Sequence, residues 1–506
     1  MKKFYITTAI PYASQKPHIG NAYDGILTDM IVRYKRLAGY DVLFLTGMDE
    51  HGQKIEKAAF DAKVMPQEYV DDICEYTKSV WEALNVKNDL FIRTTEDFHK
   101  KSVQTMFRKM YEKGDIYKSE YKGMYCVPCE LFSTESQLVD GKCPDCGREV
   151  TPAAEEAYFF KLSKYQDRLI EYIEQNDEFI KPDSRKKEML NNFLKPGLQD
   201  LCVSRSTFKW GIQVDFDPEH VVYVWLDALS NYITALGYNP DGSKPLFEKW
   251  WPADLHVIGK DIVRFHTIYW PAFLMSLDIP LPRQILGHPW LLMGDGKMSK
   301  TTGNVLYTLD LCEKYGADAV RYYSLSEMPY AADGNITEDL FVVKYNADLA
   351  NTLGNLVSRT VSMANKYFDG VICEPNTPDD LDNELIETAN SAVCTYFEKM
   401  NEYRASEAIN AVINLARRAN KYIDETTPWI LAKDEALKPR LGTVIYNLLE
   451  TIRILGVMLL PVMPNSAESI IQQIGNPKAD FESIKSFGEI NSKTKVGESK
   501  ILFARI

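Results

Sequence analysis

The chain has 506 residues, of which 45% are hydrophobic and 25% charged, and a formal net charge of −13. This length predicts several domains, and the negative charge argues against non-specific binding to nucleic acid. We expect no membrane association, because we find no apolar run that looks long enough to span a bilayer. The nine cysteines do not suggest a disulfide framework, and a first strand that begins at Phe4 leaves no room for a signal peptide, so we expect a cytoplasmic protein.

The first segment with chemical character is residues 4–21. Its β-branched and aromatic start predicts a strand over residues 4–8, and residues 22–37 have the pattern of an amphipathic helix. The loop between them carries His18, Gly20 and Asn21. A strand that leads through a loop into a helix can surround a phosphate with N–H groups. Gly20 leaves space for a nucleotide base, and His18 can donate to a phosphoryl oxygen.

A second strand is predicted for residues 41–46, whose continuous apolar run is typical of a buried parallel strand. Asp49 follows its end, which is where open α/β sheets bind ligands. Helical patterns then occupy residues 53–84 and 99–113.

Two CxxC pairs mark the next segment, which is rich in Gly, Pro and Cys. They are Cys126 with Cys129, and Cys143 with Cys146. This spacing predicts one tetrahedral Zn²⁺ site, with each sulfur about 2.3 Å from the metal. Four thiolates leave no open coordination position, so the predicted role is structural.

Further along, residues 157–176 have a helical pattern, and residues 221–225 and 255–259 have strand patterns. Two sets of residues share helical faces: Trp225, Ala228, Leu229 and Tyr232, and then Ile262, His266 and Trp270. Core packing would explain both faces. A position just after a buried strand would instead present them to a ligand cleft.

Lys297 and Lys300 lie in the sequence GDGKMSKTTGN. Two lysines among glycines and hydroxyls suit a mobile loop that binds a polyphosphate, although a solvated basic turn has the same composition. Residues 309–325 have a helical pattern, and residues 351 onward are helical almost to the end.

Together, the segments around His18 and Lys297 resemble the HIGH and KMSKS signatures of class I aminoacyl-tRNA synthetases. Asn21 stands in place of the second His, and Thr301 in place of the final Ser. Between them, GMDEHGQKI, CxxC-x₁₃-CxxC, GLQDLCVSR, YVWLDAL and IGKDIVRFHTIYWPAFL occur in that order. With these motifs in this order, the chain resembles the methionyl-tRNA synthetase family, in its bacterial type with a single four-cysteine zinc knuckle.

The resemblance implies an α/β fold in which a Rossmann-like parallel sheet is split by a zinc-bearing insertion and followed by an all-α anticodon-binding domain. The implied boundaries are 1–115 and 221–325 for the two halves of the catalytic domain, 116–220 for the insertion, 326–350 for a linking segment and 351–506 for the helical domain.

The resemblance also implies a methionine–tRNA ligase that forms methionyl-adenylate from L-methionine and ATP with Mg²⁺, and then charges tRNA(Met). The implied catalytic residues are His18, Asn21, Lys297 and Lys300, and the implied ATP-binding residues are Gly20, Asp261, Lys297 and Lys300. The implied methionine site comprises Ala9, Ile10, Tyr12, Asp49, Trp225, Ala228, Leu229, Tyr232, Ile262, His266 and Trp270.

Anticodon recognition is implied for Asn355, Arg359 and Trp429. The first two share a helix face, and Pro428 is expected to start a helix that holds the Trp429 ring at an exposed end. The chain ends without a recognisable dimerising module, so we expect a monomer. Two alternatives remain: an inactive zinc-bearing protein that binds nucleotides or RNA, and another class I synthetase such as the cysteinyl enzyme.

Overall fold

The structure is a computed structural model that describes residues 1–126, 131–133, 138–144, 147–293, 296–297 and 305–506. Its first part alternates strands and helices, as the pattern predicted. The elements are β1 (Lys3–Thr8), α1 (Ile19–Leu37), β2 (Asp41–Met48), α2 (Gln53–Ala62), α3 (Pro66–Ala83), β3 (Leu90–Arg93) and α4 (Asp97–Glu112).

The insertion is built mainly from short antiparallel strands. Its elements are β4 (Ile116–Cys126), β5 (Leu131–Ser133), β6 (Thr151–Phe160), α5 (Gln166–Gln175), β7 (Ile180–Lys181), α6 (Asp183–Glu188), β8 (Leu201–Cys202), β9 (Ser204–Arg205), β10 (Gln213–Val214) and β11 (Asp217–Val222). Its two longest strands, β4 and β6, pair antiparallel and form its framework. Strands β5 and β8 extend that sheet on either side.

The chain then returns to the catalytic domain. The elements are α7 (Val224–Thr234), α8 (Pro245–Trp250), β12 (Leu255–Gly259), α9 (Trp270–Ser276), β13 (Ile285–His288), β14 (Leu291–Met293), β15 (Gly296–Lys297), α10 (Thr308–Tyr315), α11 (Ala317–Ser326) and β16 (Gly334–Asn335). A π-helical turn, Phe265–Tyr269, precedes α9.

The chain is then mainly helical up to Gln473, whereas the described residues 474–506 contain no helix, although a helical pattern almost to the end was predicted. It contains α12 (Glu338–Lys344), α13 (Asn355–Phe368), α14 (Asp380–Asn401), α15 (Ala405–Thr426), α16 (Pro428–Leu431), α17 (Lys438–Leu459) and α18 (Pro464–Gln473). The segment Glu435–Leu459 is long and apolar enough to cross a membrane, contrary to our expectation from sequence, but its apolar window is fully buried inside the fold. Helix α17 is therefore the core helix of this domain.

The central sheet has six parallel strands in the order β3-β2-β1-β12-β13-β7. The strand order reverses between β1 and β12, and open α/β sheets bind ligands at such a switch point, outside the carboxyl ends of the strands. The predicted Rossmann-like sheet is thus confirmed. Its edge strand β7 comes from within the predicted insertion, which therefore also contributes to the catalytic sheet.

Two local predictions were wrong. Residues 157–160, predicted as helical, are the end of β6, because their backbone pairs with residues 116–119 of β4. The strand predicted for residues 221–225 ends at Val222 and belongs to a small antiparallel sheet with β9 and β10. Helix α7 starts next, because the N–H groups of Leu226 and Asp227 both donate to the Tyr223 carbonyl. Strand propensity could not reveal this competing helical turn.

A buried ion pair joins the two major parts of the molecule. The Arg321 guanidinium of α11 lies 2.7 Å from the Asp29 carboxylate of α1, and both side chains are fully buried. Arg321 also donates to the carbonyls of Val462 and Pro461, after α17, and to that of Leu84, after α3. One side chain therefore fixes the first helix of the catalytic domain against the helical domain.

Candidate active site

The first side of the site is the start of α1. His18 is the residue that caps this helix: its Nδ1 accepts from the Gly20 N–H at 3.1 Å, and its own N–H donates to the Asn21 side-chain oxygen at 3.2 Å. The Ile19 N–H donates to the Leu306 carbonyl at 3.1 Å. The segment that follows Lys297 and Lys300 is thus hydrogen-bonded to the start of α1, next to His18.

Lys300 lies outside the described residues. The backbone of Lys297 is the end of β15, which pairs with Leu292 of β14. The catalytic role of Asn21 stays a prediction. Its side-chain oxygen accepts from the His18 N–H in the helix cap.

The second side of the site is the end of β12. Asp261 lies in the turn Lys260–Ile262 directly after this strand, and its Oδ1 accepts from the Trp290 indole N–H at 3.0 Å. A Cβ atom on Gly259 would lie 2.6 Å from Asp261 Oδ1, so only glycine leaves the carboxylate in this position.

Asp24 and His288 also belong to this side, although our sequence analysis did not assign them. His288 Nε2 contacts the Asp24 carboxylate, and its Nδ1 donates to the Pro289 carbonyl at 2.8 Å. Burial lowers the pKa of His288, but the Asp24 charge together with the hydrogen bonds to Asp24 and Pro289 and the Asp261 charge outweighs it, and the net pKa is raised. The pair ties α1 to the end of β13. The sequence signal that could have identified Asp24 is its position one helical turn after Gly20.

The loop after β1 forms the floor of the other half of the site. The Ala9 N–H donates to the Val257 carbonyl of β12 at 3.0 Å. Tyr12 and Asp49 form an isolated parallel bridge, so the buried acid after β2 is held beside this loop.

Aromatic side chains from α7 and the π-helical turn form a wall next to this floor. The Trp225 ring stacks on Phe265, with centroids 3.8 Å apart and planes inclined by 4°. Sequence analysis did not assign Phe265, although it lies three residues after Ile262 and such a spacing allows a shared helical face. The π-helical turn adds a residue and changes that spacing.

His266 joins the two helical segments of this wall. Its Nδ1 donates to the Ile262 carbonyl at 2.9 Å, and its Nε2 lies 2.7 Å from the Tyr232 hydroxyl. Burial lowers the pKa of His266 to about 4, so the ring is neutral near pH 7 and accepts from Tyr232.

The structure brings the predicted methionine-site residues together. One hydrophobic cluster includes most of them: Ala9, Ile10, Tyr12, Trp225, Leu229, Tyr232, Ile262 and Trp270. Ala228 is buried on α7 among them, while Asp49 and His266 are attached through Tyr12 and Tyr232.

Half of the predicted zinc site can be located. Cys126 ends β4 and Cys143 follows a tight turn, and both side chains are buried. The Gly147 N–H donates to the Cys143 carbonyl, and Gly147 has a φ of +67°, which folds the chain back sharply. Cys129 and Cys146 lie outside the described residues. Within the described ranges alone, no group of three or more His, Cys, Asp or Glu side chains has an arrangement that could hold a metal ion.

The predicted anticodon residues lie around the end of α15. Asn355 starts α13 and is exposed, and the Arg359 guanidinium lies 3.4 Å from Asp424 near the end of α15. Helix α16 starts at Pro428, as predicted, and Trp429 keeps 43% of its surface exposed.

Comparison with known proteins agrees with this geometry. The family model "tRNA synthetases class I (M)" matches residues 4–155 and 147–361, and the model "Anticodon-binding domain of tRNA ligase" matches residues 382–502. The methionine–tRNA ligase of Clostridium acetobutylicum is 56% identical over all of this chain and 78% of its own length. The chain belongs to the class I methionine–tRNA ligase family.

Other relatives of this synthetase agree. The methionine–tRNA ligase of Bacillus subtilis is 50% identical over 99% of this chain and 78% of its own length. A structure of Mycobacterium tuberculosis methionyl-tRNA synthetase in complex with methionyl-adenylate superposes with a TM-score of 0.94, at 41% identity and with complete coverage of both chains. These relatives favour neither the cysteinyl enzyme nor an inactive binding protein.

We predict that His266 makes the stability of this synthetase depend on pH. Its pKa of about 4 in the folded state is below the ordinary 6.5, so the unfolded chain binds the proton more readily and stability falls as the pH drops from 6.5 to 4. The contribution is roughly 3 kcal/mol at 1.36 kcal/mol per pKa unit. Urea denaturation across this range should show a shallower pH dependence for His266→Gln, and parallel curves would contradict the prediction.

Proposed function

We propose that this synthetase activates L-methionine at the carboxyl ends of β1, β2 and β12, and then transfers the methionyl group to the 3′ end of tRNA(Met). The supporting observation is that Asp49, through Tyr12, and the aromatic residues of α7 gather around the β1 loop. His18 and Gly20 start α1, whose Asp24 meets His288 at the end of β13, and Asp261 follows β12. An amino-acid half-site and a nucleotide half-site thus meet at the switch point.

In the proposed reaction, the methionine carboxylate attacks the α-phosphorus of ATP and pyrophosphate leaves. The protein supplies alignment and neutralises the growing phosphoryl charge, and Mg²⁺ accompanies the phosphates. His18 suits this role because its Nδ1 already accepts from Gly20, which leaves the proton of the neutral ring on Nε2. Lys297 and Lys300 would provide the cationic groups. Loss of one such donor should cost about 2.7–4 kcal/mol of transition-state stabilisation.

Asp49 is proposed as the partner of the methionine ammonium, because it is the acid at the end of β2 next to Tyr12. Tyr232, His266 and Trp270 would surround the side chain, whose polarisable sulfur packs well against aromatic rings. A neutral His266 suits an uncharged thioether.

We predict that Asp49→Asn raises the Michaelis constant for methionine about tenfold or more, because it removes a charge-assisted hydrogen bond. Methionine-dependent pyrophosphate exchange into ATP measures this, and the Michaelis constant for ATP should change much less. Asp261→Asn is the reciprocal control and should act mainly on ATP. The assignment is wrong if Asp49→Asn affects ATP alone.

A structural zinc ion is proposed for Cys126, Cys129, Cys143 and Cys146. The two described thiols fit it, because both are buried and one lies in a tight turn with Gly147. In this small region, zinc binding would supply the stability that a hydrophobic core supplies in larger domains. Four thiolates also need a reducing compartment, which supports the cytoplasm as the proposed location.

We predict about one equivalent of zinc per chain for the purified protein, from the four-thiolate rule. Cys126→Ser should lower the zinc content and make residues 117–155 sensitive to protease, whereas Cys394→Ser, on the exposed surface of α14, should do neither. Unchanged protease resistance after complete removal of zinc would rule out a structural role.

For tRNA, we propose that Asn355, Arg359 and Trp429 recognise the CAU anticodon. The three side chains offer an exposed indole, a guanidinium and an amide, and unstacked bases need a ring to stack on and hydrogen bonds to their edges. All parts of the proposed sites come from one chain whose two regions are joined by Arg321, so a monomer is the proposed working unit.

We predict that Trp429→Ala reduces kcat/KM for tRNA by about tenfold or more, since base stacking on an aromatic ring is worth about 1–3 kcal/mol. Methionine-dependent pyrophosphate exchange should be nearly unchanged. Ile430→Ala is the matched control, because Ile430 is the exposed neighbour on the same helix and has no ring. Equal loss of aminoacylation and exchange would indicate a packing role for Trp429.

A further inference from the structure

A buried histidine–aspartate–histidine network lies behind the methionine half-site. The two oxygens of Asp227 each lie 2.7 Å from an imidazole nitrogen, Nδ1 of His51 and Nε2 of His99. All three side chains are buried, and His99 and Asp227 are within 1% of complete burial. His99 Nδ1 also lies 2.7 Å from the Thr234 hydroxyl.

The network has a definite arrangement of donors and acceptors. Asp227 accepts from both imidazoles, and the Thr234 hydroxyl donates to the remaining nitrogen of His99. Burial raises the pKa of Asp227, but the two imidazoles outweigh it and the net pKa is lowered. The carboxylate is therefore ionised and holds both rings by charge-assisted hydrogen bonds.

Each member of the network is on a different part of the site. His51 lies in the loop after β2, two residues beyond Asp49, and His99 lies on α4. Asp227 lies on α7 directly before Ala228, on the helix that carries Trp225 and Tyr232. The contacts of Glu50 fix the same loop to another part of the molecule: its carboxylate accepts from Arg93 at 2.8 Å, and its carbonyl from the Trp210 indole N–H at 2.6 Å.

We propose that Asp227, His51 and His99 are positioning residues that set the distance between the ammonium-binding acid and the side-chain wall of the methionine site. The inference rests on the proposed methionine site. A bound methionine would be held at its ammonium by Asp49 and at its thioether by the α7 wall. The hydrogen bond from His51 to Asp227 joins these two supports, and the bond from His99 fixes the orientation of the carboxylate.

This role is different from general packing, because it depends on two hydrogen bonds, each of which an imidazole N–H must donate to Asp227. An asparagine side chain can place an N–H where His51 has Nδ1, and a glutamine can place one where His99 has Nε2. His51→Asn and His99→Gln therefore keep a donor to Asp227, whereas His51→Leu and His99→Leu remove it and leave buried polar atoms unpaired.

The test is methionine-dependent pyrophosphate exchange with the full chain. His51→Leu and His99→Leu should raise the Michaelis constant for methionine about tenfold or more, because a misplacement near 1 Å can cost on the order of 100-fold. The Michaelis constant for ATP should change less than about twofold, and the donor-keeping variants should stay within about threefold of the wild type for methionine.

Asp227→Asn keeps the volume of the side chain and serves as the second variant if the leucine variants do not fold. It should raise the methionine constant selectively, because an amide can accept from only one of the two imidazoles. Asp382→Asn is the matched control: Asp382 is a buried acid of the helical domain, held by Arg440 at 2.6 and 2.8 Å. It should lower stability without changing the methionine constant.

The inference is overturned if leucine and donor-keeping variants have the same methionine constant, if the constants for methionine and ATP rise together, or if Asp227→Asn behaves like Asp382→Asn. A wild-type protein without methionine-dependent exchange would instead refute the proposed function itself. The two failures are thus distinguishable.

Discussion

The Asp29–Arg321 ion pair is the interaction on which the arrangement of the two major parts depends. Burying two charges costs several kcal/mol per ion, and the attraction offsets this only when hydrogen bonds satisfy the remaining groups. Here three carbonyl oxygens accept from Arg321, and the Lys87 N–H and Arg33 also donate to Asp29. This geometry exists only when α1, α11 and the turn after α17 are in place together, so the pair fixes their relative position.

Helix α1 transmits this constraint to the active site. Its first turn is capped by His18, its middle carries Asp29, and Tyr34 near its end packs edge-on against Tyr396 of α14. Because α1 is held at its middle and near its end, the position of its first turn is fixed as well. The proposed nucleotide half-site is therefore built on a rigid support that also contacts the anticodon-binding domain.

The proposed methionine half-site follows a different principle, because its side chains come from loops, from α7 and from the π-helical turn that leads into α9. Such residues need neighbours to hold them. Tyr232 and His266 hold each other at 2.7 Å, and the Glu50 carboxylate accepts from Arg93 at 2.8 Å. Burial raises the pKa of Glu50 more than Arg93 and Thr95 lower it, so the net pKa is raised. Selectivity for an uncharged side chain is thus proposed to come from the neutral His266 and the Tyr232 hydroxyl, which are fixed among aromatic rings.

The sequence alone predicted strands at residues 4–8, 41–46 and 255–259, and a parallel strand at residues 41–46, where a continuous apolar run specifies burial on both faces. It also determined the family, since motifs fixed in order and spacing carry the chemistry. Only the tertiary structure decided that α7 begins at Val224, that Phe265 joins the wall, and that Asp24 meets His288 and Asp227 meets His51 and His99. The start of α7 depends on a local helical turn that competes with strand propensity. The other features join residues far apart in the chain, and such contacts leave no periodic pattern in a single sequence.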